Sequence, residues 1–468
     1  MRGASAPSVN ECPSKAEERK RALRLVLRYG LETTAFQTLA PGYHYFFFAD
    51  EQGAEACVAY VDTGGAWVAA GAPIGPDEAR PAVVVAFLAA ARRARKRACF
   101  FGCEQPLSGA NGAPLCAIAI GEQPVWDPRA WPRVLSRQRS LREQLRRARA
   151  KGVRVRELPD TEFPEPSLRA ALQSVAERWL SRRTLAPMGF LVRVEPFSGS
   201  SQRRYFVAEV KERVVGFAAV LPIPARNGWF IENLVREPDA PNGTSELLVN
   251  AVMVWAAALP SPWLTLGMAP LSGALPDLLR HIARWTRGLY DFAGLRAYKG
   301  KFRPEFWLPV YLCHPPSQAQ WRSVVDALAA FSEGGFTRFG WRTLLRGPTV
   351  VLRALAWLLL PWTIALALVP GERWFMASWV RWAWVCFDAL LALGLFRLLR
   401  RPRTRLLTAL AVAISVDAAY TTVKVVLWNL PRVGHVSDYL VLFLACAAPT
   451  LAAIVLWGAR RHRLRFEL

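Results

Sequence analysis

The chain has 468 residues, 53% of them hydrophobic and 19 of them Trp, which excludes a disordered polymer and gives room for about two or three domains with sizeable cores. Its 60 Lys and Arg against 36 Asp and Glu leave a formal charge of +24, so the expected partner is a polyanion, either nucleic acid or an anionic membrane surface. The 8 Cys lack any CxxC pair, and the closest two, Cys99 and Cys103, have no nearby His, which argues against a zinc set and for reduced thiols in a cytosolic setting.

In chain order, residues 1–20 carry no apolar run, so we expect a flexible start without a cleavable signal and a first domain that stays in the cytoplasm. Strands are expected at Tyr43–Ala49, Ala54–Asp62 and Gly65–Ala70. A GAPIG turn at Gly71–Gly75, a helix at Pro81–Lys96 and a strand at Ala98–Gly102 follow. A basic helical linker spans Trp131–Gly152, with a second helix near Ser167–Ser181. The order then repeats, with strands at Arg204–Lys211, Val214–Ile223 and Gly228–Leu234, a helix at Thr244–Ala258 and a strand at Trp263–Gly267. This implies a duplicated α/β unit of the three-strand, helix, strand order found in GNAT-type acyltransferases.

From about Thr349 four apolar stretches, Thr349–Val369, Phe375–Phe396, Leu406–Trp428 and Ser437–Trp457, each approach the ~20 residues that cross a bilayer as a helix. The connector Arg397–Arg405 and the tail Arg460–Arg465 are rich in cations, whereas Pro370–Trp374 and Asn429–Val436 are not; the positive-inside rule then places both termini in the cytoplasm. Asp388, Asp417 and Lys424 fall inside these stretches, where they either pair to stabilise packing or serve transport. The expected domains are therefore 1–20, 21–130 (first GNAT-like), 131–182 (basic linker), 183–315 (second GNAT-like, catalytic), 316–348 (amphipathic connector), 349–458 (four spans) and 459–468 (basic tail).

Four segments carry candidate chemistry. Between Arg133 and Arg156 lie ten basic residues and one acid, Glu143. At helical spacing Arg139, Arg142, Arg146 and Arg149 line one side and Leu141, Leu145 and Ala148 another. Together with Arg147 and Lys151 they suit an RNA backbone or, alternatively, anionic lipid or plain solvent. In FIENLVREPDAPNG, Phe230–Gly243, a strand bearing Glu232 and Arg236 passes Asp239 into a helix start whose N–H groups would attract an anion. The alternative for the same turn is an N-cap supplied by Asn242 or Thr244. The glycine-rich GMAPLSG, Gly267–Gly273, follows a strand as backbone does where it approaches a ligand. Finally YDFAGLRAYKGKFRPEFWLPVY, Tyr290–Tyr311, puts Lys299, Lys301 and Arg303 at alternate positions, on one face if the segment is extended. No Ser/His/Asp set, HExxH, Walker loop or Rossmann fingerprint is present, and neither a metal nor a cofactor is expected.

GMAPLSG followed by YDFAGLRAYKGKF, preceded by the acid, Arg and Asp-Ala-Pro-x-Gly turn of Glu232–Gly243 and by Trp179 in ERWL, resembles the catalytic domain of the phosphatidylglycerol lysyltransferase (multiple peptide resistance factor) family over roughly Tyr29–Leu312. The resemblance implies tandem GNAT-like domains that move an amino acid, lysine or alanine, from aminoacyl-tRNA to phosphatidylglycerol or a related lipid, conferring resistance to cationic peptides. It implies Glu232, Arg236, Asp239, Lys299 and Lys301 as catalytic, and Gly267, Met268, Pro270, Ser272 and Tyr298 as substrate-binding; Arg139, Arg142, Arg146, Arg147, Arg149 and Lys151 are left to hold tRNA. Glu232 stands where the family often has Asp, and the familiar enzymes place their membrane region before this domain rather than after it. An acyl-CoA-dependent N-acyltransferase and a non-catalytic tRNA or lipid sensor are the alternatives.

Overall fold

The computed structural model describes residues 14–467, apart from 52, 110–111, 160–164, 184, 196, 198–201, 286–290, 347–348, 369–376, 401–402 and 434. The chain forms two compact units, one made of residues 1–179, 188–284 and 292–333, the other of 180–187, 285–291 and 334–468.

The first unit is built on a single 12-stranded sheet. Its first half runs α1 (Lys15–Tyr29), β1 (His44–Ala49), β2 (Glu55–Asp62), β3 (Ala66–Ala70), α2 (Arg80–Arg93), β4 (Arg97–Cys103) and β5 (Cys116–Trp126). The linker is α3 (Trp131–Arg137) and α4 (Arg139–Ala150), with β6 (Arg154–Glu157) and α5 (Pro166–Ser181) after it. The second half is β7 (Arg204–Val210), β8 (Arg213–Ile223), β9 (Gly228–Arg236), α6 (Thr244–Ala257), β10 (Trp263–Thr265), β11 (Ala269–Pro270), α7 (Asp277–Trp285), α8 (Phe292–Gly300), β12 (Phe306–His314) and α9 (Gln320–Phe331). Both expected blocks are present, each with a parallel pair after its helix-bearing crossover: β3 with β4, and β9 with β10.

The halves are joined by exchange. Strand β12 of the second half lies between β4 and β5 of the first, while β5 reaches across to pair with β10. A continuous sheet leaves no edge between the halves and closes their ladders at the cost of independence, so the two GNAT-like lobes form one unit. Neither β5 nor β6 was foreseen. Helix α1 begins at Lys15 with a Ser14–Glu17 capping box, inside the stretch expected to be flexible. The linker helix is two helices, broken at Gln138, which caps neither with its side chain.

Leu141, Leu145 and Ala148 of α4 are buried in the core that α4 shares with α6, as the helical stripe requires, and this packing fixes which face of α4 turns its arginines outward.

In the second unit α10 (Phe336–Leu345) precedes α11 (Thr349–Leu368), α12 (Ser378–Arg400), α13 (Thr404–Lys424) and α14 (Val436–Glu467). Four helices here are long and apolar enough to cross a membrane: Val351–Leu368, Ser378–Arg400, Thr404–Arg432 and Asp438–Arg461. The connector expected at Pro370–Trp374 lies outside the described residues. Asp417 accepts from Thr421 one turn along its own helix at 3.3 Å.

Candidate functional site

The segment from Phe292 to Gly300 is helix α8, not the extended run that alternate cations suggested. Its Ala, Leu and Arg content favours helix, and the aromatic strand begins only at Phe306. Lys299 lies in the last turn of α8 and Lys301 and Arg303 in the turn that follows it, so the three cations do not line one face of a strand. Lys299 turns inward and is 7% exposed. Its Nζ donates to the carbonyls of Leu266, Gly267 and Met268 at 2.8, 2.8 and 2.9 Å. The two motifs thus meet at one ammonium, which reaches carbonyls 31 to 33 residues away in the chain. Lys301 instead pairs with Glu246 in the first turn of α6 at 2.6 Å. Arg303 sits in a left-handed turn at φ 52°.

The GMAPLSG turn is made possible by its glycines. Gly267 has φ +70°, and a Cβ there would stand 2.6 Å from the Phe230 ring; Gly273 has φ +81° with Glu122 in the same relation at 2.8 Å. Ala269 and Pro270 form β11 on the edge of β5, and Ser272 donates to the carbonyl of Ala269 at 2.7 Å. Its hydroxyl proton is therefore spent on the turn. Burial pulls the Lys299 ammonium down to about 7. With its Nζ within hydrogen-bond distance of three carbonyls, Lys299 organises this turn.

A second cluster gathers at the start of α6. Arg236 donates to the carbonyls of Glu237 and Ala240 at 3.4 and 3.3 Å, bracing the Pro238–Pro241 turn. Tyr298 is half-buried there with its hydroxyl turned inward, and its phenol is pushed up by burial and then by the Glu246 carboxylate. Neither Asn242 nor Thr244 caps the helix: Gly243, at φ +96°, holds the cap position, and the Thr244 hydroxyl donates to Pro241 at 2.7 Å. Glycine is required twice over, because a Cβ at Gly243 would lie 2.7 Å from the carbonyl of Gln144 on α4. The positive end of α6 therefore abuts the basic helix. Asp239 is exposed on this turn.

Glu232 belongs to a different set of contacts. It lies at a break in the β8–β9 register, between Ile231, opposite Val220, and Asn233, opposite Ala219. The bulge re-aims its side chain. Oε2 pairs with Arg203 at 2.8 Å and accepts from Asn233 at 2.9 Å, and Oε1 accepts from Gln37 at 3.2 Å. Burial raises the carboxyl, against the pull of Arg203. Of the five residues marked as catalytic, Arg236 and Lys301 share the α6 start, Lys299 holds the neighbouring turn, and Glu232 and Asp239 join neither set of contacts.

On α4, Arg142 donates to the carbonyl of Leu135 on α3 at 2.6 Å and Arg146 pairs with Glu143 on α4 at 3.0 Å, so two of the four ridge arginines are engaged within the linker. Arg139, Arg147, Arg149 and Lys151 are exposed and make no ion pair among the described residues.

Sequence reasoning missed Arg203, Gln37 and Glu246. Only Glu246 had a signal, as an acid in the first turn after Asp-Ala-Pro-x-Gly. It also missed a cavity of about 190 Å³ lined by Glu32, Asp77, Arg80 and Glu104 of the first half and Arg226 of the second, among others. Glu104 pairs with Arg226 at 2.6 Å, while Glu32 accepts from the backbone N–H groups of Ala72 and Glu104 at 2.6 and 2.9 Å. Burial, and then the Glu104 charge, raise Glu32 to about 7. An acid raised above its unfolded value holds its proton in the folded state after the unfolded chain has lost it. Glu32 therefore supports stability at low pH, and that support is lost as pH climbs from its ordinary value of 4.5 through about 7. Denaturation midpoints across this window should fall with pH in the wild type and fall less in Glu32→Gln; an unchanged slope in the variant would assign the effect elsewhere.

Residues 23–314, more than half of the chain, match the family model of phosphatidylglycerol lysyltransferase, C-terminal. The lysylphosphatidylglycerol biosynthesis bifunctional protein LysX of Nocardia farcinica is 27% identical over 307 residues, covering 61% of this chain and 26% of that protein. The phosphatidylglycerol lysyltransferase of Bacillus subtilis is 27% identical over 154 residues, 31% of this chain and 17% of the relative. The chain thus spans about a quarter or less of these curated relatives. A crystal structure of the C-terminal domain assigned to a lysylphosphatidylglycerol synthetase from Agrobacterium fabrum is 27% identical and superposes with a TM-score of 0.59, covering 69% of this chain and 99% of that one. L-PGS from Bacillus licheniformis shares the fold, with a TM-score of 0.56 at 20% identity over 72% of this chain and 100% of the other. With the tandem GNAT-like sheet and the paired GMAPLSG and Lys299 motifs in place, the chain belongs to the phosphatidylglycerol lysyltransferase C-terminal domain family.

Proposed function

We propose that this protein transfers an amino acid, lysine or alanine, from aminoacyl-tRNA to a hydroxyl of phosphatidylglycerol or a related anionic lipid. The four apolar helices tether it to the cell's inner membrane, with the sheet unit in the cytoplasm. The observation that carries the reading is the convergence of Lys299 on the 266–268 carbonyls beside the Arg236, Tyr298, Glu246 and Lys301 cluster, inside the family-matched region.

In this reaction the lipid hydroxyl oxygen bonds to the aminoacyl carbonyl carbon, the ester bond to the tRNA ribose oxygen breaks, and the hydroxyl proton ends on that ribose oxygen. The ester is already activated, so the protein chiefly orients both partners and stabilises the tetrahedral oxyanion. We assign Arg236 and Lys301, at the positive end of α6, to the phosphate or oxyanion, and Glu246 to holding Lys301. Lys299 is a positioning residue for the Gly267–Ser272 turn, against which Met268, Pro270 and Tyr298 would shape the aminoacyl site. Glu232 is assigned to positioning through Arg203 and Gln37, since both its oxygens are occupied, and Asp239 to the rim.

The exposed Arg139, Arg147, Arg149 and Lys151 are assigned to the tRNA backbone, with Arg142 and Arg146 shaping the helix. Replacing Arg139, Arg147 and Arg149 by Gln should weaken tRNA binding uniformly across sequences and flatten its dependence on the logarithm of salt concentration by about one per lost phosphate contact. Filter binding across a salt series measures this, and an unchanged slope would remove α4 from the tRNA path. The transfer itself is tested by incubating the protein in phosphatidylglycerol micelles with radiolabelled aminoacyl-tRNAs supplied one at a time. Label in the lipid extract names the amino acid, and none from any tRNA counts against the proposal.

A further inference from the structure

We infer that the four-helix unit carries its own binding site for an anionic phospholipid, separate from the transferase chemistry. The site is a cavity of about 770 Å³ formed by α10, α13 and α14 together with Pro187. Its volume is in the range of specific small-molecule sites. Three guanidiniums, Arg342, Arg346 and Arg461, line it. None of the three makes an ion pair among the described residues, so a concentrated positive charge stands uncompensated.

The surroundings select the form of the anion. Arg346 is anchored: its Nη1 donates to the carbonyls of Leu180, Arg183 and Leu185 at 3.2, 3.3 and 2.8 Å, which leaves the rest of its planar fork for an oxyanion. Away from the arginines the wall turns apolar, with Ala453 and the Trp457 ring, whose Nε1 donates to the Ser415 hydroxyl at 3.0 Å. Gly458 lets the end of α10 come close, since a Cβ there would meet the Leu345 carbonyl at 2.4 Å. A cation-rich mouth opening onto an apolar wall between helices of membrane-spanning length matches a phosphodiester headgroup with an acyl chain below it. A free phosphate would satisfy the mouth and leave the wall unused. A lipid uses both.

The test uses the full chain, stripped of lipid in neutral detergent, with phosphatidylglycerol carrying a diazirine in one acyl chain. Phosphatidylcholine with the same label is the zwitterionic control, and adducts are mapped by peptide mass spectrometry. Adducts are expected within Ser415–Ala418 or Thr450–Gly458, with phosphatidylglycerol favoured. The double variant Arg342→Gln/Arg461→Gln should lower them about tenfold. Ala453→Phe, which fills the cavity with every arginine kept, should lower them as well, each variant first passing as a single species on gel filtration. Equal labelling by both lipids, or full labelling of Ala453→Phe, would reduce the feature to a greasy or generally basic surface and overturn the inference. Displacement of the lipid by millimolar inorganic phosphate, compared with chloride at equal ionic strength, would make the free anion the occupant and overturn it too.

Discussion

Lys299→Met should lower aminoacyl transfer by about a hundredfold, the size of loss that follows when reacting groups are misplaced by about an ångström. Methionine keeps the length and apolar stem but offers no donor to the carbonyls of Leu266, Gly267 and Met268. Each carbonyl left buried and unpaired costs about 1–3 kcal/mol, offset in part because the buried ammonium no longer has to be desolvated. Folding should therefore survive while the turn loosens. Lys299→Arg should not rescue activity, since a planar fork cannot direct donors at three carbonyls converging on one point. The pH behaviour provides a separate check. A lysine held near 7 in the folded chain and near its ordinary value of 10.5 in the unfolded chain makes the wild type gain stability as pH rises between those values. Lys299→Met should lose that gain, and a variant that retained both the gain and full activity would show that Lys299 does not hold the turn.

The second large effect is expected at Arg203. Its side chain is 5% exposed and its partner Glu232 10% exposed, so Arg203→Met strands a carboxyl in the interior. Removing one partner of a buried pair costs about 3–5 kcal/mol, because the survivor keeps its desolvation penalty without its compensation. Glu232→Gln should cost less, and the double variant should recover part of the loss, a coupling that chemical denaturation of all four chains would measure. If Glu232 works by positioning, Glu232→Gln keeps a measurable transfer rate. Complete loss of transfer in a well-folded Glu232→Gln chain would instead make Glu232 a reacting group.

The repeat was legible because its strands are short apolar runs rich in β-branched and aromatic residues, set between turns, and its second helix is a longer apolar run: β2, β8 and α6 lie within one or two residues of expectation. The exchange of β5 and β12 was not, since pairing between the halves depends on partners almost 200 residues apart and leaves no local mark. The site divided the same way. Glycines in turn-like motifs and a lysine in a family-like motif are visible in sequence, so Gly267, Gly243 and Lys299 were found, and both glycines have positive φ. The direction of Lys299 departs from the alternate-spacing expectation because local propensity makes helix over Phe292–Gly300. Arg203 and Gln37 were invisible, being ordinary polar residues given meaning only by the bulge at Glu232.

The most direct measurement supplies phosphatidylglycerol labelled in its headgroup with tritium and an aminoacyl-tRNA labelled with carbon-14 on the amino acid, then separates the lipids. A single new lipid carrying both labels in equal amounts is expected, formed by the wild type and greatly reduced in Lys299→Met. No doubly labelled lipid from any aminoacyl-tRNA, together with product formation from labelled acetyl-CoA, would contradict the proposed transfer.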